Sequence, residues 1–225
     1  MKNKEISYEI IDFSGETNVQ FRTSVDPGSY IPTHWHRAIE IIYMQEGSLD
    51  VTVESESFTI HEGDCILVNG NVLHSTKCTA PNTAILLQIP LDFMAKYIPD
   101  LGQLIFLWDH RTEDPVKKTK LMMLKTTLEQ LQVINDIRPD GYLLRFNSLI
   151  FELLFQLYHN FSVKVFHQNI NQRQKEMDRL DPVLNYIAEH YKEPISLDEI
   201  ADIACLQTGY FCRFFKKKMG VTYLE

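Results

Sequence analysis

The sequence predicts an α+β chain in three zones: an antiparallel β-barrel, a helical middle, and a small helix-turn-helix at the C-terminal end. Three observations carry this. From about Ile6 to Pro90, short runs alternate apolar and polar residues between turn formers, the pattern of half-buried strands. Beyond Pro90 the apolar spacing changes to three and four residues, the helical period. From about Leu180, short capped helical stretches follow one another with almost nothing between them. With 44% apolar residues in 225, the chain can fill more than one core.

In the first zone, Leu49 to Val53 and Phe58-Thr59-Ile60 alternate, and His61-Glu62-Gly63-Asp64 reads as the turn after them. Ala84-Ile85-Leu86-Leu87-Gln88-Ile89 is a buried closing strand, stopped by Pro90. Short strands at such intervals suggest a barrel or sandwich. In the second zone, Lys117 to Asp136 carries Leu121, Leu124, Leu128 and Leu131 on one stripe, and Arg138-Pro139-Asp140-Gly141 breaks it. The next helix has Leu143, Phe146, Ile150, Leu153 and Leu157 on one side, with Leu144, Phe151, Leu154 and Phe155 as additional apolar surface. That surplus suits either a dimer seam or packing against the barrel. Gln168 to Lys175 is polar and weakly patterned, and reads as a linker. In the third zone, Asp181-Pro182 opens a helix as N-cap and first-turn proline. Ser196, with Glu199 three residues on, is a capping box for a helix carrying Leu197, Ile200, Ala201 and Ala204. A Cys205-Leu206 turn leads to a helix from Gln207 to Met219, closed by Gly220.

The chemistry concentrates in one frame: Gly28, then His34-Trp35-His36, then Glu40, then Gly47. Side chains alternate along a strand, so His34, His36 and Glu40 share a face, with Tyr30 and Met44 on the same parity. Two imidazoles and a carboxylate on one face suit a divalent metal ion or a small polar ligand. They also suit one another, histidine to glutamate, in a polar interior. Trp35 and Tyr43 fall on the opposite face as packing residues, and Arg22 reads as a surface ion ahead of its alternative, a partner for an anionic effector. His74, after Gly63 in a second segment, offers a third imidazole. These two segments resemble the paired motifs of the cupin superfamily, small β-barrels that hold a ligand inside. The first motif fits throughout. In the second, Asn69 and Asn71 stand where the family usually has proline and glycine.

The final zone gathers Arg213, Lys216, Lys217 and Lys218 in one helix of a chain whose formal charge is −8. Such a cluster fits phosphate contact, or simply a solvated helix end that suits the helix dipole. Ile195 to Ala201, Tyr210 to Lys217 and Gly220-Val221-Thr222 together resemble the first helix-turn-helix of AraC-type transcription regulators, which place such a unit after a cupin-like barrel and a helical dimerisation segment. The resemblance implies a cupin-like effector-binding barrel at 6–90, a helical dimerisation segment and linker at 91–175, and one helix-turn-helix at 180–225. It implies that Gln207, Thr208, Gly209, Cys212 and Arg213 front the recognition helix, with Lys216, Lys217 and Lys218 on phosphates, while Phe211, Phe214 and Phe215 are core. Family members continue past the position of Glu225 into a second such unit, so a single unit implies feeble DNA contact, partly offset by dimerisation.

The expectation is therefore a ligand-responsive DNA-binding regulator and not an enzyme: a homodimer sensing a small molecule such as a sugar through His34, His36, Glu40, His74, Tyr30 and Met44. A divalent metal at His34, His36, Glu40 and His74 is the alternative occupant of that site. Two other readings are a metal-dependent cupin enzyme, a dioxygenase or isomerase, and a truncated sensor that pairs with full-length partners. The enzyme reading leaves the helical zones without a role. Cys65, Cys78, Cys205 and Cys212 imply no disulfide framework, and the apolar runs are too short for a signal peptide or a membrane span, so a cytoplasmic location is expected.

Overall fold

The computed structural model describes residues 7–13, 15–165, 179–180, 182–184, 186–187, 190, 193–219 and 222–223. Nine strands fill the first zone: β1 (Ser7–Tyr8), β2 (Gln20–Asp26), β3 (Tyr30–Trp35), β4 (Ala38–Glu46), β5 (Ser48–Val53), β6 (Glu56–His61), β7 (Cys65–Val68), β8 (His74–Lys77) and β9 (Asn82–Pro90). They form a five-stranded sheet, β1-β3-β8-β5-β6, and a four-stranded sheet, β2-β9-β4-β7. Among the described strands, only β1 pairs in parallel, with Ser7 opposite His34 and Tyr8 opposite Trp35.

Strand alternation divides the four-stranded sheet into two faces. Its odd-numbered residues, Ile39, Ile41, Ile85, Leu87 and Ile89, are buried against helices. Its even-numbered residues, Ile42, Met44 and Ala84, pack inside the barrel against Leu49, Val51 and Ile60 of the other sheet. The helical layer begins with α1 (Leu91–Ala95) and continues with α2 (Pro115–Ile137) and α3 (Tyr142–Gln156). Leu121, Leu124, Leu128 and Leu131 of α2 meet Phe146, Ile150 and Leu153 of α3 in that core, as their spacing predicts. Helix α2 starts two residues earlier than its apolar period suggests. Asp114 caps it, accepting from the Val116 and Lys117 amides at 2.8 and 3.1 Å, and Pro115 fills the first turn.

Two features have no local sequence signal. A short pair of strands, β10 (Leu104–Phe106) and β11 (Ser162–Lys164), joins antiparallel across the whole α2–α3 hairpin. Asn69 anchors β10 to the barrel: its amide donates to the Phe106 carbonyl at 2.7 Å and its oxygen accepts from the Phe106 amide at 2.9 Å. Asn71 holds a left-handed backbone, φ 64°, which asparagine tolerates better than most residues and glycine adopts freely. Both departures from the resembled motif thus have local structural roles.

In the tail, α4 (Leu197–Ile203) is capped by Ser196, which accepts from the Glu199 amide at 3.2 Å. A turn through Cys205, at φ 54°, leads to α5 (Thr208–Met219). Ala201 and Ala204 are buried where the helices meet, under Phe211, Phe214, Phe215 and Met219. The expected linker at Gln168 to Lys175, the Asp181 cap and the Gly220 stop lie outside the described residues. Among the described residues, no helix is long and apolar enough to cross a membrane.

Gly47 sits between β4 and β5 at φ 80°, and a Cβ there would stand 2.8 Å from the Pro81 carbonyl oxygen. Gly47→Ala should cost about 1–3 kcal/mol of stability through backbone strain and that collision. Urea unfolding monitored by circular dichroism checks it.

Candidate functional site

His34 and His74 are register partners across β3 and β8, in the five-stranded sheet. Glu40 and Gln88 are register partners across β4 and β9, in the four-stranded sheet. The site therefore lies between the sheets, with His36 entering from the β3–β4 connection. His34, His36 and His74 are all buried, and one ring nitrogen from each lies within 4.8 Å of the others. Glu40 reaches two of them: its carboxylate is 3.2 Å from His36 Nε2 and 3.9 Å from His74 Nε2. Gln88 donates to the same carboxylate at 2.7 Å.

The imidazoles share a further feature. Nδ1 of His34 donates to the Pro32 carbonyl, that of His36 to Ala38 and that of His74 to Val72, at 2.8, 3.0 and 2.9 Å. Each backbone bond fixes its ring and leaves Nε2 as the nitrogen free to bind a cation. His36 can then donate from Nε2 to Glu40 only as an imidazolium. If it is neutral, lone pairs face each other and a cation between them would remove the repulsion. His74 Nε2 is buried without a hydrogen-bond partner. Burial pushes the His74 pKa down to about 4, against the opposing charge of Glu40, so this imidazole is neutral at pH 7. Burial pushes the Glu40 carboxyl up, but the His36 bond, the charges of His74 and His36, and the Gln88 bond outweigh it, lowering the pKa to about 2. An anchored set of three nitrogens, one of them orphaned, beside an ionised carboxylate fits a divalent metal ion.

A cavity of about 70 Å³ adjoins this cluster, lined by His34 and Glu40 together with residues of β2, β5, β8 and β9. Tyr30 and Met44 are not among its lining residues. The β3–β8 register shifts between Ile31 and His34, which reverses the parity of β3 on either side of the irregularity. Ile31 therefore faces the cavity, while Tyr30 is 56% exposed in a surface groove beside Lys77. Met44 points into the barrel as its parity requires, but lies in the packed apolar end with Leu49 and Ile60.

Four residues at the site carry more than the sequence reading gave them. Gln88 is the lone polar residue in the apolar run Ala84 to Ile89, a signal that was there to read. Glu9 approaches His34 Nε2 at 3.5 Å from beyond β1. Arg22 is exposed, as a surface ion would be, and also lines the cavity, where its alternative reading as a partner for an anion would place it. Trp35 is a packing residue as expected, but its partner is the tail: 1% exposed, it joins the hydrophobic cluster of α4 and α5, and its indole donates to the Lys218 carbonyl at 3.0 Å.

On α5, Gly209, Cys212, Arg213 and Lys216 form an exposed stripe at helical spacing, with Gln207 and Lys217 exposed beside it. Phe211, Phe214 and Phe215 are buried on the other side. Thr208 is half-buried, and its hydroxyl donates to Asp198 at 2.7 Å, so that group is engaged within the tail. Lys218 is half-buried, and its carbonyl is the acceptor for Trp35.

Removing the donor to a buried carboxylate tests the packing of the site directly. Gln88→Met should cost about 1–3 kcal/mol, the penalty for stripping a hydrogen bond from a buried charged group. The measurement is equilibrium unfolding in urea at pH 7.

Comparison with known proteins agrees with this arrangement. Residues 21–90 match the cupin domain, and residues 187–225 match the bacterial regulatory helix-turn-helix proteins of the AraC family. The chain is similar to the uncharacterized HTH-type transcriptional regulator YdeC of Bacillus subtilis (strain 168), 24% identical over 252 residues, covering 100% of this chain and 81% of the relative. It is also similar to the probable transcriptional regulator LumQ of Photobacterium leiognathi, at 27% identity over 84% of this chain and 68% of that one. A third relative, the uncharacterized HTH-type transcriptional regulator YbfI of Bacillus subtilis (strain 168), is 23% identical over 86% of this chain and 69% of its own. The chain thus joins an N-terminal cupin domain to a C-terminal helix-turn-helix of the AraC family.

Proposed function

We propose that this chain is a DNA-binding transcription regulator of AraC type, whose barrel receives a small molecule and whose tail reads duplex DNA. One observation carries the reading. Strand β3 turns His34 toward the barrel interior and Trp35 into the hydrophobic core of the helix-turn-helix, with His36 returning to the interior one residue later. A ligand that draws the imidazoles together shifts the strand on which the tail is seated. An equilibrium between two tail positions is then biased by whatever the barrel binds, to the extent that the ligand prefers one of them. The naming of three relatives as transcriptional regulators supports the same reading.

His34, His36 and His74, with Glu40 beside them, would hold a divalent metal; bound there, it would supply a Lewis-acidic point for an oxygen of the ligand. The barrel in this reading senses its ligand and does not turn it over. On the DNA side of this reading, Arg213 grips a guanine edge and Lys216 and Lys217 meet phosphates, which the exposure of all three on α5 supports.

The helical layer supports a homodimer. Leu144 and Phe155 of α3 are 82% and 59% exposed, and Met122 and Met123 of α2 are exposed as well. These are the surplus apolar positions that the inner core leaves unused. The double variant Leu144→Glu with Phe155→Glu should sediment as a monomer at concentrations where the wild type is dimeric. An unchanged sedimentation profile would place the seam elsewhere.

Fluorescence anisotropy on the chain's own upstream duplex, against a scrambled duplex and across a salt series, tests the central claim. Arg213→Ala should weaken specific binding by about 5- to 150-fold, corresponding to about 1–3 kcal/mol for a bidentate base contact. Equal affinity of the wild type for both duplexes would refute the DNA-reading role. Undiminished preference in the variant would refute the role of Arg213.

A further inference from the structure

Among the charged side chains that line the barrel cavity, three are carboxylates and each has a partner. Glu40 accepts from Gln88 and abuts His36. Asp26 accepts from the Gly28 amide at 2.9 Å and the Ser29 hydroxyl at 2.5 Å. Glu9 lies 3.5 Å from His34 Nε2. Arg22 is the exception: among the described residues, no hydrogen bond or ion pair engages its guanidinium, although it lines the same space.

The ladder explains its placement. Arg22 stands opposite Leu86, which stands opposite Ile42; two rungs along, on the same face, Gln20 stands opposite Gln88 and Gln88 opposite Glu40. Leu86, Ile42, Gln88 and Glu40 all line the cavity, so Arg22 belongs to the inward face of β2, two residues from the site rung. Two residues of strand span about 7 Å, and two strand spacings about 10 Å. A flexible arginine on β2 can therefore meet one end of a ligand whose other end approaches the imidazoles. The cavity of about 70 Å³ corresponds to roughly five to seven water-sized positions, at about 10–15 Å³ each. That is room for a small acid, and the guanidinium fork matches a carboxylate in two parallel hydrogen bonds.

We infer that the molecule received by the barrel is a small carboxylate, two to four carbons long, whose anionic group is bound by Arg22. This rests on the ligand-sensing reading above and narrows it from a sugar-like neutral molecule to an anion.

Isothermal titration of the purified full chain decides it, with sodium malonate, sodium pyruvate and sodium L-malate as probes and the neutral malonamide and L-arabinose as controls. Each titration is run once with EDTA and once with added nickel. At least one carboxylate should bind and the neutral controls should not. Arg22→Gln should weaken that binding tenfold or more, and Arg22→Lys, which keeps the charge but loses the fork, should weaken it less. Arg22 is exposed, so both variants should melt with the wild type, and matching melting curves verify that the fold is intact. Three outcomes overturn the inference: no carboxylate binds, a neutral control binds as well as the acids, or Arg22→Gln binds them as tightly as the wild type. The regulator reading is scored separately, by DNA anisotropy of the wild type with and without the bound acid. Arg22-dependent binding that leaves DNA affinity unmoved sustains this inference and overturns only the coupling to DNA.

Discussion

The structure depends on the period-two alternation of a strand, concentrated in three consecutive residues. His34 and His36 turn inward and Trp35 turns outward. The inward pair joins His74 and Glu40 in the barrel, and the outward indole is enclosed by the tail. A one-residue slip of β3 would place a tryptophan among the imidazoles and two histidines in an apolar core. Register is therefore fixed from both sides at once, by the cost of unpaired imidazoles and by the loss of a buried aromatic. The same alternation separates the duties of β4 and β9. Their odd residues pack on α2 and α3, and their even residues line the barrel, with Glu40 and Gln88 at its polar end and Ile42, Met44 and Ala84 along its apolar wall.

Burying three imidazoles and a carboxylate is costly unless each polar atom is engaged. The barrel meets this locally. Each imidazole bonds a carbonyl two residues away in its own strand or connection, so no distant element is needed to orient it. Glu40 takes its support from the facing strand instead, through Gln88. Among these four side chains the exception is Nε2 of His74, which has no hydrogen-bond partner at the centre of the cluster. Within the cluster of His34, His36, Glu40 and His74, the unmatched atom lies where three ring nitrogens converge, which fits the proposed divalent ion.

Much of this was legible in the sequence, because the signals are periodic. The three zones, the leucine stripes of α2, the Ser196 cap and the buried aromatics of α5 all follow from spacing that local backbone geometry enforces. So does the shared face of His34 and His36. What was not legible came from events that break a period or cross long separations. The irregularity between Ile31 and His34 exchanges the faces of Tyr30 and Ile31; Pro32 within it marks a bulge-prone position, but a plain parity count treats the strand as regular. The strand pair β10–β11 and the Asn69 anchor join segments that only the folded chain brings together. Arg22 is exposed, as its leading reading has it; that it also borders the cavity follows from the pairing of β2 with β9, which local sequence does not give.

The seating of the tail bears on how a barrel could govern a DNA reader. Blocking would require the barrel to cover the exposed stripe of α5. Trp35 instead joins the cluster of Phe211, Phe214, Phe215 and Met219, and its bond falls on the Lys218 carbonyl at the end of the helix. Arg213 and Lys216, on the opposite stripe, remain exposed in this arrangement. The barrel therefore grips the helix by its inner face and its C-terminal end while leaving its outer face open. Such a grip can set the position and angle of the helix without hiding it. In a dimer, the distance and rotation between two such helices decide which DNA half-sites can be met together. Under the proposed ligand-sensing reading, this contact fits control by placement and not by occlusion.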